Sequence, residues 1–328
     1  MLEKLSKKQF FSTRSRRLFQ IAAYIIATLF IALLVYSAWE NRASLQSLLA
    51  QANYSQLLGF TAFYLISASA CAVNWVAMMH TFDRSLNWWV HTQIYCMTQA
   101  TRRIPGTLWY VGSRVVIYQK LGLTTTVVLL ANAIELIITL VTASTMGILF
   151  LLLSKFQPSP LAFIVMIASL AIASLSLRPS VFRWLLKKFG APPAANLSFR
   201  NIATWILLYS LVWIASGLML NQLVNVFTPG GLDQSLYIIG AWSLSVTAGV
   251  LTFFLPTNFG LTELALTVLL IPILPLPLAG MIAIMMRFLT ILLEIAVSAA
   301  FYLLALKSPP LTDVLRDQQF TDRPSATK

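Results

Sequence analysis

The stretch VVLLANAIELIITLVTASTMGILFLLL, residues 127–153, carries one charge, Glu135, and one side-chain amide, Asn132, in 27 residues. As a helix it would rise about 1.5 Å per residue, reaching about 40 Å and exceeding the ~30 Å hydrocarbon core of a bilayer. A helix on the surface of a soluble domain keeps a polar face, and this run has none. It therefore reads as a membrane span. Glu135 is then the anomaly, because an ionised side chain at mid-span costs at least ~2.5–3.5 kcal/mol on insertion scales. No cation in the run can offset that cost.

Working outward, comparable apolar runs occupy 19–39, 57–79, 161–177, 202–224, 235–255, 258–274 and 279–306. With 127–153 they make eight crossings, the run at 258–274 being the one that could instead dip back. The composition agrees: 58% of residues are hydrophobic and 10% charged, with a mean hydropathy of +0.79. Soluble domains hold about a quarter charged residues. Residues 88–121 differ in kind. Gln93, Gln99, Arg102, Arg103, Pro105, Gly106, Gly112 and Arg114 interrupt them, so they read as a broken or re-entrant element packed inside the bundle. The expected fold is an all-α polytopic membrane protein of about eight transmembrane helices plus broken elements.

The net charge of +13 is concentrated in short loops and at span ends, which excludes nucleic acid as the partner. Six Lys or Arg fall in 1–18 and five in 178–200, while 227–235 has none. The positive-inside rule then places both termini in the cytoplasm. The division expected is a basic cytoplasmic arm at 1–18, a transmembrane domain at 19–306 and a polar, disordered tail at 307–328. Residues 36–38 make a poor cleavage site, so 19–39 is expected to stay as an anchor. Cys71 and Cys96 form no CxxC pair, and His80 and His91 no HExxH pattern, so neither metal nor cofactor is expected. Trp88, Trp89, Trp109 and Tyr110 read as interfacial anchors, and His91 as a structural polar group.

Two regions share a layout. In the first, Pro105-Gly106 breaks the chain, Arg114 follows, and Glu135 sits in a long apolar helix. In the second, Pro256 breaks the chain, Gly260 and Glu263 follow, and Arg287 and Glu294 sit in a long helix. Broken segments at corresponding places in two halves point to a midplane binding site in transporters. The functional expectation is that Arg102, Arg103, Arg114 and Arg287 form a cationic site for phosphate, which a planar guanidinium pairs with bidentately. The glutamates would orient those arginines or meet a cationic or hydroxylated headgroup. The structural alternative is that Arg102 and Arg103 snorkel to the interface, and that Arg287 and Glu294, seven residues apart, form an intrabundle network.

Residues 102–135, RRIPGTLWYVGSRVVIYQKLGLTTTVVLLANAIE, and the two pieces LPTNFGLTELALTVLL and MRFLTILLEIAV within 255–297 together resemble the flippase-like family named after the transmembrane region of lysylphosphatidylglycerol synthase. The resemblance implies a multispan bacterial or archaeal inner (cytoplasmic) membrane protein. Such a protein would move or present anionic lipids, aminoacyl-phospholipids or polyprenyl-phosphate-linked sugars. On matching positions it points to Pro105, Gly106, Arg114, Glu135, Gly260, Glu263, Arg287 and Glu294 as substrate-binding residues. The sequence departs from the family's pattern at Pro-Thr-Asn-Phe-Gly (256–260), where a Pro-Gly-Gly-like run is usual. Nor does it hold the soluble aminoacyl-transferase domain, so lysyl transfer is not expected of it.

Lipid translocation is thus the leading expectation, with Arg102 added to the site. Without a GxxxxGK[ST] loop, movement would run downhill or on an ion gradient, with Glu135, Glu263 and Glu294 as candidate proton carriers. The alternatives are an intramembrane transferase with Glu263 or Glu294 as general base, and an accessory subunit working with a glycosyltransferase in envelope synthesis. Against a metal-dependent sugar transferase, Asp83, Asp233, Asp313, Asp317 and Asp322 all lie in loops or the tail.

Overall fold

The computed structural model describes residues 36, 39–40, 42–103, 109–156, 199–251, 260–309, 311–312 and 314. The arm, nearly all of 19–39, the span 161–177 with most of the following basic loop, Pro105, Gly106, Pro256 and the end of the tail lie outside the described residues. Among those described, the regular structure is entirely helical. In chain order the helices are α1 (Arg42–Ala50), α2 (Gln56–Phe82), α3 (Trp88–Met97), a 3-10 turn (Gln99–Arg103), α4 (Trp109–Lys120), α5 (Thr125–Leu153), α6 (Phe199–Asn225), α7 (Leu232–Leu251), α8 (Leu261–Leu270) and α9 (Leu276–Ala305).

Four of these, α2, α5, α6 and α9, are long and apolar enough to cross a membrane. They coincide with the expected spans 57–79, 127–153, 202–224 and 279–306. Helix α7 covers most of 235–255, but Gly240, Ser243, Ser245, Thr247 and Gly249 leave it less apolar, and it packs between α5 and α6. The run 258–274 is the one for which the sequence allowed either a crossing or a return. Its helix is only the ten residues of α8, about 15 Å at the standard rise and half of a hydrocarbon core, and a turn at 271–274 follows. The segment 88–121 is broken as expected, into α3, the 3-10 turn and α4.

Local chemistry accounts for these boundaries. Asn87 caps α3 by accepting from the Val90 amide at 2.9 Å. Gly122, at φ +89°, ends α4 in a Schellman turn: the Leu123 amide donates to Tyr118 O at 3.0 Å and the Gly122 amide to Gln119 O at 3.0 Å. Pro275 and Pro277 stop the preceding turn and start α9, where proline loses no helical donor. The start of the tail differs from expectation. Leu311 and Val314 are buried and join the cluster of Tyr118, Leu123 and Ala305, so the chain stays on the bundle beyond Leu306.

Helix association in hydrocarbon relies on close packing and interhelical hydrogen bonds, because lipid tails are as apolar as the side chains they replace. Both devices are present. A Cβ on Gly217 of α6 would stand 2.7 Å from Ile239 Cα of α7, and one on Gly240 of α7 would stand 2.9 Å from Leu151 N of α5. Buried side chains bridge the remaining contacts. Asn74 donates to Trp205 O at 3.2 Å, joining α2 to α6, and Trp213 to Thr142 Oγ1 at 2.9 Å, joining α6 to α5. Tyr237 donates to Leu269 O at 2.7 Å, joining α7 to α8.

Gly217→Ala is expected to destabilise the protein by about 1–3 kcal/mol, because the clash is with backbone. Gly112→Ala, at an exposed position of α4 with open space around it among the described residues, is expected to stabilise by about 0.5–1 kcal/mol. Unfolding of the purified protein in detergent measures both.

Candidate functional site

A cavity of about 410 Å³ lies among α2, α3, the 3-10 turn and α4 to α9. Arg102, Glu135, Glu263, Arg287 and Glu294 line it, beside the polar aromatics Tyr64, Tyr95, Tyr110, Tyr209, Trp213 and Trp242. Five of the nine expected site residues therefore converge on one space, although up to 192 positions (294 − 102) separate them in sequence. Arg114 sits behind the wall. Gly260 begins α8 at φ +92°. Pro105 and Gly106 are outside the described residues, and the side chain of Arg103 likewise.

Glu135 has found its missing partner in three dimensions. Its Oε2 accepts from Arg114 Nη1 at 2.8 Å, and its Oε1 accepts from Tyr209 Oη at 3.0 Å and Tyr95 Oη at 3.2 Å. Arg102 Nη2 approaches the same Oε1 at 3.5 Å. Arg114 is wholly buried. It also donates to Asn132 Oδ1 at 2.9 Å and Thr98 Oγ1 at 3.3 Å, and its guanidinium carbon stands 4.2 Å from the Trp75 ring centroid and 4.5 Å from that of Tyr95. Such stacking is a favourable setting for a desolvated guanidinium. Trp75 is positioned in turn by donating to Tyr118 Oη at 2.9 Å, and that hydroxyl lies 2.8 Å from His91 Nδ1.

The second pair is built differently. Arg287 Nη1 on α9 donates to Glu263 Oε1 on α8 at 2.7 Å, and Glu263 Oε2 accepts from the Gly260 amide at 3.1 Å. Glu263 thereby starts α8 and holds Arg287 with the same carboxylate. This pair faces the cavity: its side chains are 24% and 12% exposed, against 0% and 4% for Arg114 and Glu135. The two pairs echo each other with reversed polarity. In the first, the short helix supplies the arginine and the long one the glutamate, 21 residues on (135 − 114); in the second, the short helix supplies the glutamate and the long one the arginine, 24 residues on (287 − 263).

The arginines of the expected phosphate site stand in ion pairs, an arrangement the sequence reading allowed: Arg114, Arg102 and Arg287 each lie within 4 Å of a glutamate. Of the described side chains at the site, three arginines (102, 114, 287) face three glutamates (135, 263, 294), so their formal charges sum to zero. Tyr110 turns from interfacial anchor to cavity wall, with Arg102 4.6 Å above its ring, whereas Trp88 and Trp109 do lie exposed. Arg102 does not snorkel away from the bundle but reaches the cavity. Sequence reading missed Thr98, Asn132, Tyr95, Tyr209 and Trp75. Asn132 was legible, since its place three residues before Glu135 puts both on one helix face. A tyrosine or tryptophan in an apolar run carries no such signal.

The fold and site define the class: an all-helical protein, among the residues described, with four membrane-length helices around a cavity lined by paired charges. No protein-family model and no curated protein matches the chain by sequence.

Glu135→Leu leaves Arg114 buried without its counter-charge and is expected to cost about 3–5 kcal/mol of stability. The concerted change Arg114→Met with Glu135→Leu removes both charges and is expected to recover most of that loss. Denaturant unfolding of the three proteins in one detergent tests this.

Proposed function

We propose that the cavity receives the polar head of an anionic membrane lipid or lipid-linked substrate, an aminoacyl-phospholipid or a polyprenyl phosphate, and that the protein carries it across the inner (cytoplasmic) membrane of a bacterium or archaeon. The observation that carries this reading is the unequal commitment of the arginines. Arg114 is spent inside the wall. Arg102 is 38% exposed at the cavity edge, and its contact with Glu135 is long, at 3.5 Å. Glu135 keeps three closer donors without it, so Arg102 can turn to an incoming phosphate at little cost to the buried pair. Arg287 offers a second guanidinium on the cavity wall. The polar aromatics suit the glycerol or sugar portion of a headgroup, with one apolar face and one hydrogen-bonding edge each.

The resemblance of 102–135 and 255–297 to the flippase-like family supports the same reading, as does the layout of short helices opposite long ones. In this reading both termini are cytoplasmic, and a glycosyltransferase or other envelope-synthesis protein is a natural partner. A transferase using Glu263 as base is less well supported. While paired, its carboxylate is held by Arg287 and the Gly260 amide, which suits orienting a guanidinium better than acting as a base on a substrate hydroxyl.

The test is lipid movement in proteoliposomes with fluorescent phosphatidylglycerol and a short polyprenyl phosphate. Wild type is expected to move at least one of them. Arg102→Ala, at a semi-exposed position, is expected to fold normally and to weaken substrate binding about tenfold to a hundredfold, the size of a lost charge-assisted hydrogen bond. A wild type that moves neither lipid overturns the reading.

A further inference from the structure

The Glu263–Arg287 pair has a property that Arg114–Glu135 lacks: an anion can reach it. Resting on the lipid-headgroup reading above, we propose that a phosphodiester headgroup binds Arg287 by displacing Glu263, and that Glu263 takes up one proton as it does so. The cavity then works as an anion–proton co-binding site.

The argument is one of charge compensation. Arg287 Nη1 now spends its cavity-facing donor on Glu263 Oε1 at 2.7 Å. A phosphate oxygen seeking that donor competes with the carboxylate. Once displaced, Glu263 is a carboxylate 12% exposed, with its Oε2 still on the Gly260 amide and its Oε1 without a cation. A charge left uncompensated in such a place is expensive, and a protein commonly removes it by protonation. A proton on Oε1 neutralises the group while Oε2 keeps the start of α8 intact. The balance is simple: one phosphodiester and one proton enter, and no covalent bond to carbon or phosphorus changes.

The surroundings sharpen the choice of Glu263. Glu135 of α5 cannot serve, because Arg114 of α4, Tyr95 of α3 and Tyr209 of α6 already hold both its oxygens. Glu294, two turns beyond Arg287 on α9, also lines the cavity and is itself engaged. From the 3-10 turn, Arg102 faces the cavity beside Glu135. Among the described residues, the other titratable side chains on the wall are hydroxyls and one thiol, Tyr64 and Cys71 of α2 and Tyr110 of α4. Among the residues of α7 that line it, Trp242, Val246, Gly249 and Val250, none is ionisable.

The experiment is equilibrium binding of short-chain phosphatidylglycerol to the full-length protein in detergent between about pH 5 and 8, a range over which the phosphodiester keeps its single charge. Linkage requires the affinity to rise about tenfold for each unit of pH lowered while one proton is taken up. A pH-indicator dye in weak buffer should register about one proton absorbed per lipid bound. Glu263→Gln keeps the shape and the contact with the Gly260 amide but cannot ionise. It is expected to bind at neutral pH as tightly as wild type does in acid, with no pH dependence. Lipid binding by wild type that does not vary with pH, or a slope that survives in Glu263→Gln, overturns the coupling and leaves the headgroup site standing. Equal binding of deacylated glycerophosphoglycerol overturns the lipid as the source of the anion. No lipid binding at any pH overturns the headgroup reading and this inference with it.

Discussion

A guanidinium and a carboxylate buried together among apolar helices are the constraint on which the rest depends. Neither Arg114, wholly buried, nor Glu135, 3% exposed, has water to solvate its charge. Each carries a desolvation cost of several kcal/mol, repaid only by good geometry and full hydrogen bonding. The molecule meets this demand by drawing on many elements at once. The α3 helix brings Tyr95 and the residue after it Thr98; α4 brings Arg114, α5 Glu135 and Asn132, α6 Tyr209, and α2 the face of Trp75. Satisfying one ion pair therefore fixes how these helices stand against one another. It also explains why the segment between α2 and α5 is broken: a continuous helix could not carry both Tyr95 and Arg114 to the same carboxylate.

The cavity follows from that arrangement. The walls that hold Glu135 also place Arg102 on a turn. Ser298 of α9 secures the turn by accepting from the Ala100 amide at 3.1 Å and donating to Cys96 O at 2.9 Å. On the far side, α8 is too short to span and stops within the bundle, so Glu263 and Arg287 meet beside open space instead of in a packed seam. One pair is dry and serves as scaffold. The other is within reach of a ligand. The reversed polarity of the two pairs places an arginine and a glutamate on each side, so the cavity offers charge of both signs instead of a single cationic surface.

How much of this was legible in the sequence depends on the range of the interaction involved. Helix type, the membrane-length runs at 57–79, 127–153, 202–224 and 279–306, and the break in 88–121 follow from local composition. So does the turn at Gly122, because a left-handed residue there favours glycine. The short length of α8 was legible in part: Pro272 and Pro275 follow closely on Leu270, but the apolar residues between them kept a crossing open. Leu311 and Val314 were grouped with the polar tail, because the i, i+3, i+4 spacing of Leu311, Val314 and Leu315 is a single helical turn among polar residues.

By itself the sequence determined that this chain is made of apolar helices and that a few ionisable side chains within them need partners, because hydrocarbon cannot solvate a charge. Which partners they take was decided only by tertiary structure. Pairing depends on side chains 21 and 24 residues apart along the chain meeting at 2.8 and 2.7 Å, and no local pattern encodes such a meeting. Whether an arginine is spent within the wall, like Arg114, or held ready at its edge, like Arg102, depends on how many donors the folded bundle aims at a single carboxylate.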